Sequence, residues 1–141
     1  LLEVFEFLVL NPQVVMDRHP IISEMVYGPI LRGKSIFENN YQKGEELLYL
    51  DTSSYYVRKL ISNHPLIIYC RPPIEKILSF SDDHPQMDGI KDWARNLISR
   101  YDEVIARFEM SGANVYTYDF TKLCDLSDVD IAVNTYLKGA R

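Results

Sequence analysis

The sequence predicts an α/β domain, a three-layer parallel sheet with helices over its faces. Helix-type and strand-type patterns alternate along the chain, which is the signature of parallel strands joined by helical crossovers. Leu66–Cys70 is a continuous apolar run, the kind that a parallel sheet buries on both sides. Residues 90–110 repeat apolar side chains at three- and four-residue spacing, so one long helix has a single face for the core. With 141 residues, 47% of them hydrophobic and 25% charged, the chain is expected to form one domain over residues 1–141.

In order, residues 1–10 read as a helix that is apolar on most of its surface and hence buried, stopped by Asn11-Pro12. Residues 13–16 read as a short buried strand with β-branched residues at its centre, ended by His19-Pro20. Ser23 is an N-cap candidate for a short helix, with Glu24 in its first turn and Gly28-Pro29 as its breaker. Residues 28–46 are mostly loop. Residues 45–62 have a helical period that the tract 51–54 can interrupt. The strand 66–70 follows, and Pro73 suits the first position of a helix through Phe80. Residues 81–89 are rich in turn formers and read as an exposed loop. The long helix over 90–110 has Ile90, Trp93, Ala94, Leu97, Ile98, Tyr101, Val104, Ile105 and Phe108 on its apolar face, and Gly112 as a C-cap. A strand over 115–118 and an amphipathic helix over 129–138, capped by Ser127 or Asp128, complete the chain. About three strands are visible, fewer than sheets of this class usually contain.

The formal net charge of -5 argues against a broad basic surface for duplex nucleic acid, although local arginines can still hold one small anion. No run is long enough to span a membrane: Glu3 and Glu6 interrupt the apolar N-terminal stretch, which also lacks the basic region and cleavage site of a signal peptide. Cys70 and Cys124 match no metal spacing, so two reduced, largely buried thiols in a cytoplasmic protein are expected.

The chemistry-bearing stretch is Val14-Val15-Met16-Asp17-Arg18-His19. An apolar run ends in an acid, a base and an imidazole, and in α/β sheets ligands sit beyond the carboxyl ends of strands. Arg18 offers a planar fork of donors suited to phosphate. Asp17 suits a metal-bound water or an orienting role, and an ordinary strand-end salt bridge is the competing reading for both. His19 reads as a turn residue. Tyr27 and Arg32 either line a pocket or serve packing and the surface. Arg71 leaves the strand 66–70 at its carboxyl end, so in a parallel sheet it shares an edge with Arg18. Residues 28–35 satisfy G-x-x-x-x-G-K-[ST] letter by letter. A phosphate-binding loop also needs a strand leading into its first glycine and a helix starting at its lysine. Neither is present in the pattern, and Pro29, Ile30 and Leu31 suit such a loop poorly, so the match is read as chance.

Residues 14–27 resemble the aspartate–arginine segment of the thymidylate kinase-like and deoxynucleoside kinase-like P-loop kinases, in the version common among phage-type nucleotide kinases. The resemblance continues through Leu66-Ile67-Ile68-Tyr69-Cys70-Arg71-Pro72-Pro73 and the polar loop and long helix after it, covering most of the chain. It implies a fold of the P-loop kinase type and transfer of the ATP γ-phosphoryl group, with Mg2+, to a deoxynucleoside monophosphate such as dTMP. It further implies Asp17 and Arg18 as catalytic residues, with Asp17 near the metal, and Arg18, Tyr27, Arg32, Arg71 and Gln86 as substrate-binding residues. A homodimer is compatible with it. The family's first strand and phosphate-binding loop have no counterpart here, and the chain starts with Leu. A piece of a longer protein, inactive as a kinase by itself, is therefore expected. The family's lid normally carries arginine, whereas residues 81–89 carry Asp82, Asp83 and Asp88. That departure keeps two alternatives open: a deoxynucleoside kinase, and a non-catalytic nucleotide-binding or scaffold domain of the same fold.

Overall fold

A computed structural model describes residues 2–11, 13–33, 55–83, 90–122 and 126–139. The elements run α1 (Leu2–Leu10), α2 (Pro20–Arg32), α3 (Tyr55–Ser62), β1 (Leu66–Cys70), α4 (Ile74–Asp83), α5 (Ile90–Met110), β2 (Asn114–Tyr118) and α6 (Ser127–Gly139). Among the described residues β1 and β2 form a two-stranded parallel sheet, in register from Leu66 opposite Asn114 to Cys70 opposite Tyr118. The ladder is prolonged at both ends, where the Asn114 amide donates to Pro65 O (3.1 Å) and the Arg71 amide donates to Tyr118 O (2.8 Å). The connection from β1 to β2 runs through α4 and α5, as parallel pairing demands.

The core joins α1, α2, α3 and α5 with one face of the sheet. Phe5, Ile21, Val26, Val57, Val104 and Phe108 are fully buried, and Met25, Leu97 and Ala113 pack with them. Complete burial of one such large apolar side chain contributes roughly 1.5–3 kcal/mol, so this cluster is the main source of stability. The long helix α5 supplies Ala94, Leu97, Ile98, Val104, Ile105 and Phe108 from one stripe, while Trp93 at its edge is 42% exposed. Gly112 ends α5 at φ 95°, a left-handed value that suits glycine. Its amide donates to Glu109 O (3.0 Å), and the Ala113 amide donates to Phe108 O (3.0 Å), the paired bonds of a Schellman cap.

Several expectations are corrected. Residues 13–16 form no strand: they are irregular, and Val14, Val15 and Met16 are exposed. Four apolar residues have the composition of a strand, but these have no neighbouring strand to pair with among the described residues. Among the described residues the sheet therefore has two strands, not three. Helix α1 buries Phe5 and Leu8 and leaves Val4, Phe7 and Leu10 in solvent. Residues 81–83, read as loop, close the last turn of α4. Cys70 is exposed rather than buried, and Cys124 lies outside the described residues, as does most of the helix expected over 45–62.

Helix α2 departs most from expectation. It begins at Pro20, not at Ser23, because His19 is its cap: the Ile21 amide donates to His19 Nδ1 (3.3 Å), and Pro20 occupies the first position, where no N–H is required. It then runs through Gly28-Pro29 to Arg32 and ends on Gly33 at φ 75°. A proline inside a helix removes one i→i−4 bond, here the one that would reach the Met25 carbonyl. The structure supplies a replacement donor, Arg100 Nε of α5, at 3.1 Å from Met25 O. The helix therefore survives its proline through a tertiary contact that local pattern cannot reveal.

Candidate functional site

The site builds up around the carboxyl end of β1 and the middle of α5. Tyr69 and Arg71 sit two residues apart, one on the strand and one just past it, and both reach Asp102 on α5. The Tyr69 hydroxyl donates to Asp102 Oδ1 (2.8 Å). Arg71 grips the same carboxylate twice, Nε to Oδ1 at 2.8 Å and Nη2 to Oδ2 at 2.9 Å, and its Nη1 donates to Pro72 O (2.5 Å). This is the bidentate geometry that guanidinium and carboxylate prefer. The hydrogen bonds and charge of Arg71 hold the Asp102 carboxyl below its ordinary range. Burial, followed by the bond to Asp102, pushes the Tyr69 phenol well up.

A row of aromatic rings continues from there. Tyr69 stacks on Tyr101, with centroids 6.4 Å apart and planes at 25°. Tyr101 meets Tyr27 of α2 edge to face, at 6.1 Å and 86°. Burial and the neighbouring Tyr27 raise the Tyr101 phenol to about 12, against the opposing influence of the Arg18 charge and the Ser23 hydroxyl. Ser23 and Tyr27 are four residues apart on α2, hence on one face. Arg18 is exposed in the turn ahead of that helix, at φ 54°, an uncommon conformation for a residue other than glycine. Its charge acts on the same Tyr101 hydroxyl.

Of the sequence-derived candidates, Arg18, Tyr27 and Arg71 are thus brought to one neighbourhood. Arg71 stands at a strand's carboxyl end as expected. Arg18 does not stand at a strand end, since the residues before it are irregular; it gains its place by preceding the cap of α2. Arg32 is not brought there. It lies five residues beyond Tyr27, turned to another side of α2, and forms an ion pair with the buried Glu24. Gln86 lies outside the described residues. Tyr69, Tyr101 and Asp102 were missed as site residues. Tyr69 and Tyr101 read as core positions, which they partly are, and only the fold shows that Asp102 faces Arg71. The sole signal in the sequence was that Tyr69 and Arg71 alternate along one strand and so project to the same side.

Asp17 is exposed in the turn beside Arg18. Among the described residues no three His, Cys, Asp or Glu side chains are grouped to hold a metal. Mg2+ at a phosphoryl-transfer site keeps several waters and takes one or two carboxylates together with substrate phosphates, so a lone Asp17 carboxylate fits that donor set. Residues 28–32 of the G-x-x-x-x-G-K-[ST] match are the last turns of α2, with Gly33 as its cap. They are a helix's end where a phosphate-binding loop needs a helix's start, which supports the chance reading of that motif. No helix among the described residues is long and apolar enough to cross a membrane.

The class that these observations define is a mixed helix-and-strand domain with a parallel strand pair and a cluster of tyrosines and an Arg71–Asp102 pair beside it. Comparison with protein-family models, with curated proteins and with solved structures finds no match for this chain.

Proposed function

We propose that this chain carries the acceptor side of a nucleoside monophosphate kinase of the thymidylate kinase-like, P-loop type. In this reading the parallel pair belongs to the three-layer sheet of that fold. What carries the proposal is that Arg71 shares Asp102 with Tyr69, which stacks on Tyr101, while the charge of Arg18, 53 residues away in the chain, acts on the Tyr101 hydroxyl. Two guanidinium groups near the hydroxyl ends of a tyrosine cluster suit a ligand with a phosphate at one end and a flat base at the other.

The reaction breaks the bond between the γ-phosphorus of ATP and its bridging oxygen and forms a bond to an acceptor phosphate oxygen, releasing ADP. Catalysis of such transfers is mostly positioning and charge stabilisation. Arg18, exposed and free to move its fork, binds the acceptor phosphate and the charge that develops on the transferred group. Asp17 orients the acceptor and supplies the one carboxylate to Mg2+, which neutralises phosphate charge when bound. Tyr27 and Tyr101 form the wall for the base, and Arg71 supplies a second positive charge.

The test is calorimetric titration of the chain with dTMP and with thymidine. Arg18→Ala is expected to weaken dTMP binding by about tenfold to a hundredfold, the worth of a charge-assisted bond, and to leave thymidine binding and the circular dichroism spectrum unchanged. Unchanged dTMP affinity in the variant overturns the proposal. Tighter binding of thymidine than of dTMP moves the acceptor to a deoxynucleoside.

A further inference from the structure

A guanidinium carries five N–H donors. In Arg71 the Nε donor and one Nη2 donor go to Asp102, and one Nη1 donor goes to Pro72 O. One N–H on each Nη is not taken up by Asp102 or Pro72 O, and the Tyr69 hydroxyl is the other polar group close to the guanidinium. Asp102 therefore does not consume the arginine. It binds the flank of the guanidinium and leaves donors on both terminal nitrogens.

The carboxylate is itself held. Asp102 Oδ1 accepts from the Tyr69 hydroxyl as well as from Arg71, and the Tyr69 ring is stacked on Tyr101, the residue before Asp102 on α5. Strand and helix are thus tied at one point through three side chains. The pair is not a deep core element: the Arg71 side chain is 23% exposed and that of Asp102 44% exposed. Ion pairs this exposed add little to stability, so stability alone does not account for so complete a set of bonds.

We propose that Asp102 is a positioning residue, which fixes the Arg71 guanidinium from the side so that its two remaining N–H groups are presented together to a phosphate-class anion. The inference rests on the anion-site reading above and deepens it. Arg71 becomes a pre-oriented two-point donor, and Arg18 the adaptable one. Pre-orientation lowers the ordering cost of binding, which is where its gain in affinity comes from.

The test is arginine side-chain 1H–15N NMR of the 141-residue chain, titrated with inorganic phosphate. The Arg71 Nη signals are expected to shift, while the Nε signal keeps its carboxylate-bonded position. Asp102→Asn, close in shape but uncharged, is expected to weaken phosphate binding about tenfold. Tyr69→Phe, which frees only one bond to Asp102, is expected to weaken it two- to threefold, roughly, and stands in should Asp102→Asn fail to fold. Displacement of Asp102 by phosphate, seen as movement of Nε to the solvent-exposed frequency, overturns the proposal. So does phosphate affinity that is unchanged or increased in the folded variants, or an Arg71 signal that ignores phosphate. The two readings fail separately. If dTMP binds no tighter than inorganic phosphate while the Arg71 signals behave as stated, the kinase reading falls and the role of Asp102 stands. If dTMP binds through Arg18 with Arg71 silent, the reverse holds.

Discussion

The two faces of the β1–β2 pair are built on different terms. On one face α5 packs closely: Ile67 joins the core beside Val104 and Phe108, and Tyr69 is stacked and hydrogen-bonded to Tyr101 and Asp102. On the other face α6 buries no residue at all. Ile68 of β1 is 38% exposed, and a cleft of about 1060 Å³ opens along Leu66, Tyr116, Ile131 and Tyr136. The Tyr136 hydroxyl of α6 donates to His64 O (2.7 Å), ahead of β1. The candidate site lies on the well-packed face, where the backbone beneath it cannot drift. Catalytic and binding groups need such support, because a misplacement of about an ångström can cost a hundredfold in rate.

The largest effect that sharpens this contrast is expected in the core of the packed face. Phe108 is completely buried between the helices and the sheet. Phe108→Ala removes the whole ring from a close-packed interior and is expected to cost about 3–5 kcal/mol in urea denaturation. A loss under about 1 kcal/mol would mean that the α5 face is as loosely filled as the α6 face, and the contrast would vanish.

How far the sequence showed this architecture follows from the range of the forces concerned. The strand at residues 66–70 and the long helix were legible because their patterns are local: one is a run of apolar residues, the other a stripe with helical period. Arg71 was legible for the same reason, since a strand end is a local event. The path of α2 was not. Gly28-Pro29 reads as a breaker because nothing nearby replaces the lost bond, and its replacement comes from Arg100, 75 residues from Met25. Residues 13–16 failed in the opposite direction, since a strand needs a neighbour to pair with and composition cannot promise one. Within the site, Arg18 and Tyr27 stand out as residue types in a suggestive stretch, whereas nothing local marks Asp102, whose partners Tyr69 and Arg71 lie on and just past another element.

A smaller effect isolates the tertiary repair of α2. Arg100→Met keeps much of the aliphatic bulk but removes the donor to Met25 O, and is expected to destabilise the chain by about 1–2 kcal/mol, the cost of stranding a partly buried carbonyl. Arg100 also pairs with Glu103 (2.9 Å), an exposed helical contact expected to account for only about 0.3–0.5 kcal/mol of that. Pro29→Ala restores an N–H at the position that can bond Met25 O within the helix. In that background Arg100→Met is expected to cost markedly less, so the double-mutant cycle should show a coupling of about 1 kcal/mol. Strict additivity of the two changes would mean that Arg100 holds α5 to α2 for some reason unrelated to the proline.

The smallest expected effect tests the open face. Ile131 of α6 is 61% exposed although it borders the cleft under that helix. A side chain that already meets water has little transfer energy left to lose, so Ile131→Ala should change the stability of the isolated chain by no more than about 0.5 kcal/mol. Alanine is also the better helix former, which offsets part of any lost contact. The comparison with Phe108 then rests on two apolar side chains facing opposite sides of one sheet, with expected costs several-fold apart. A loss above about 2 kcal/mol at position 131, particularly one that grows with protein concentration, would show that this face is covered in solution. The asymmetry between the two faces would then belong to the single chain and not to the protein as it associates.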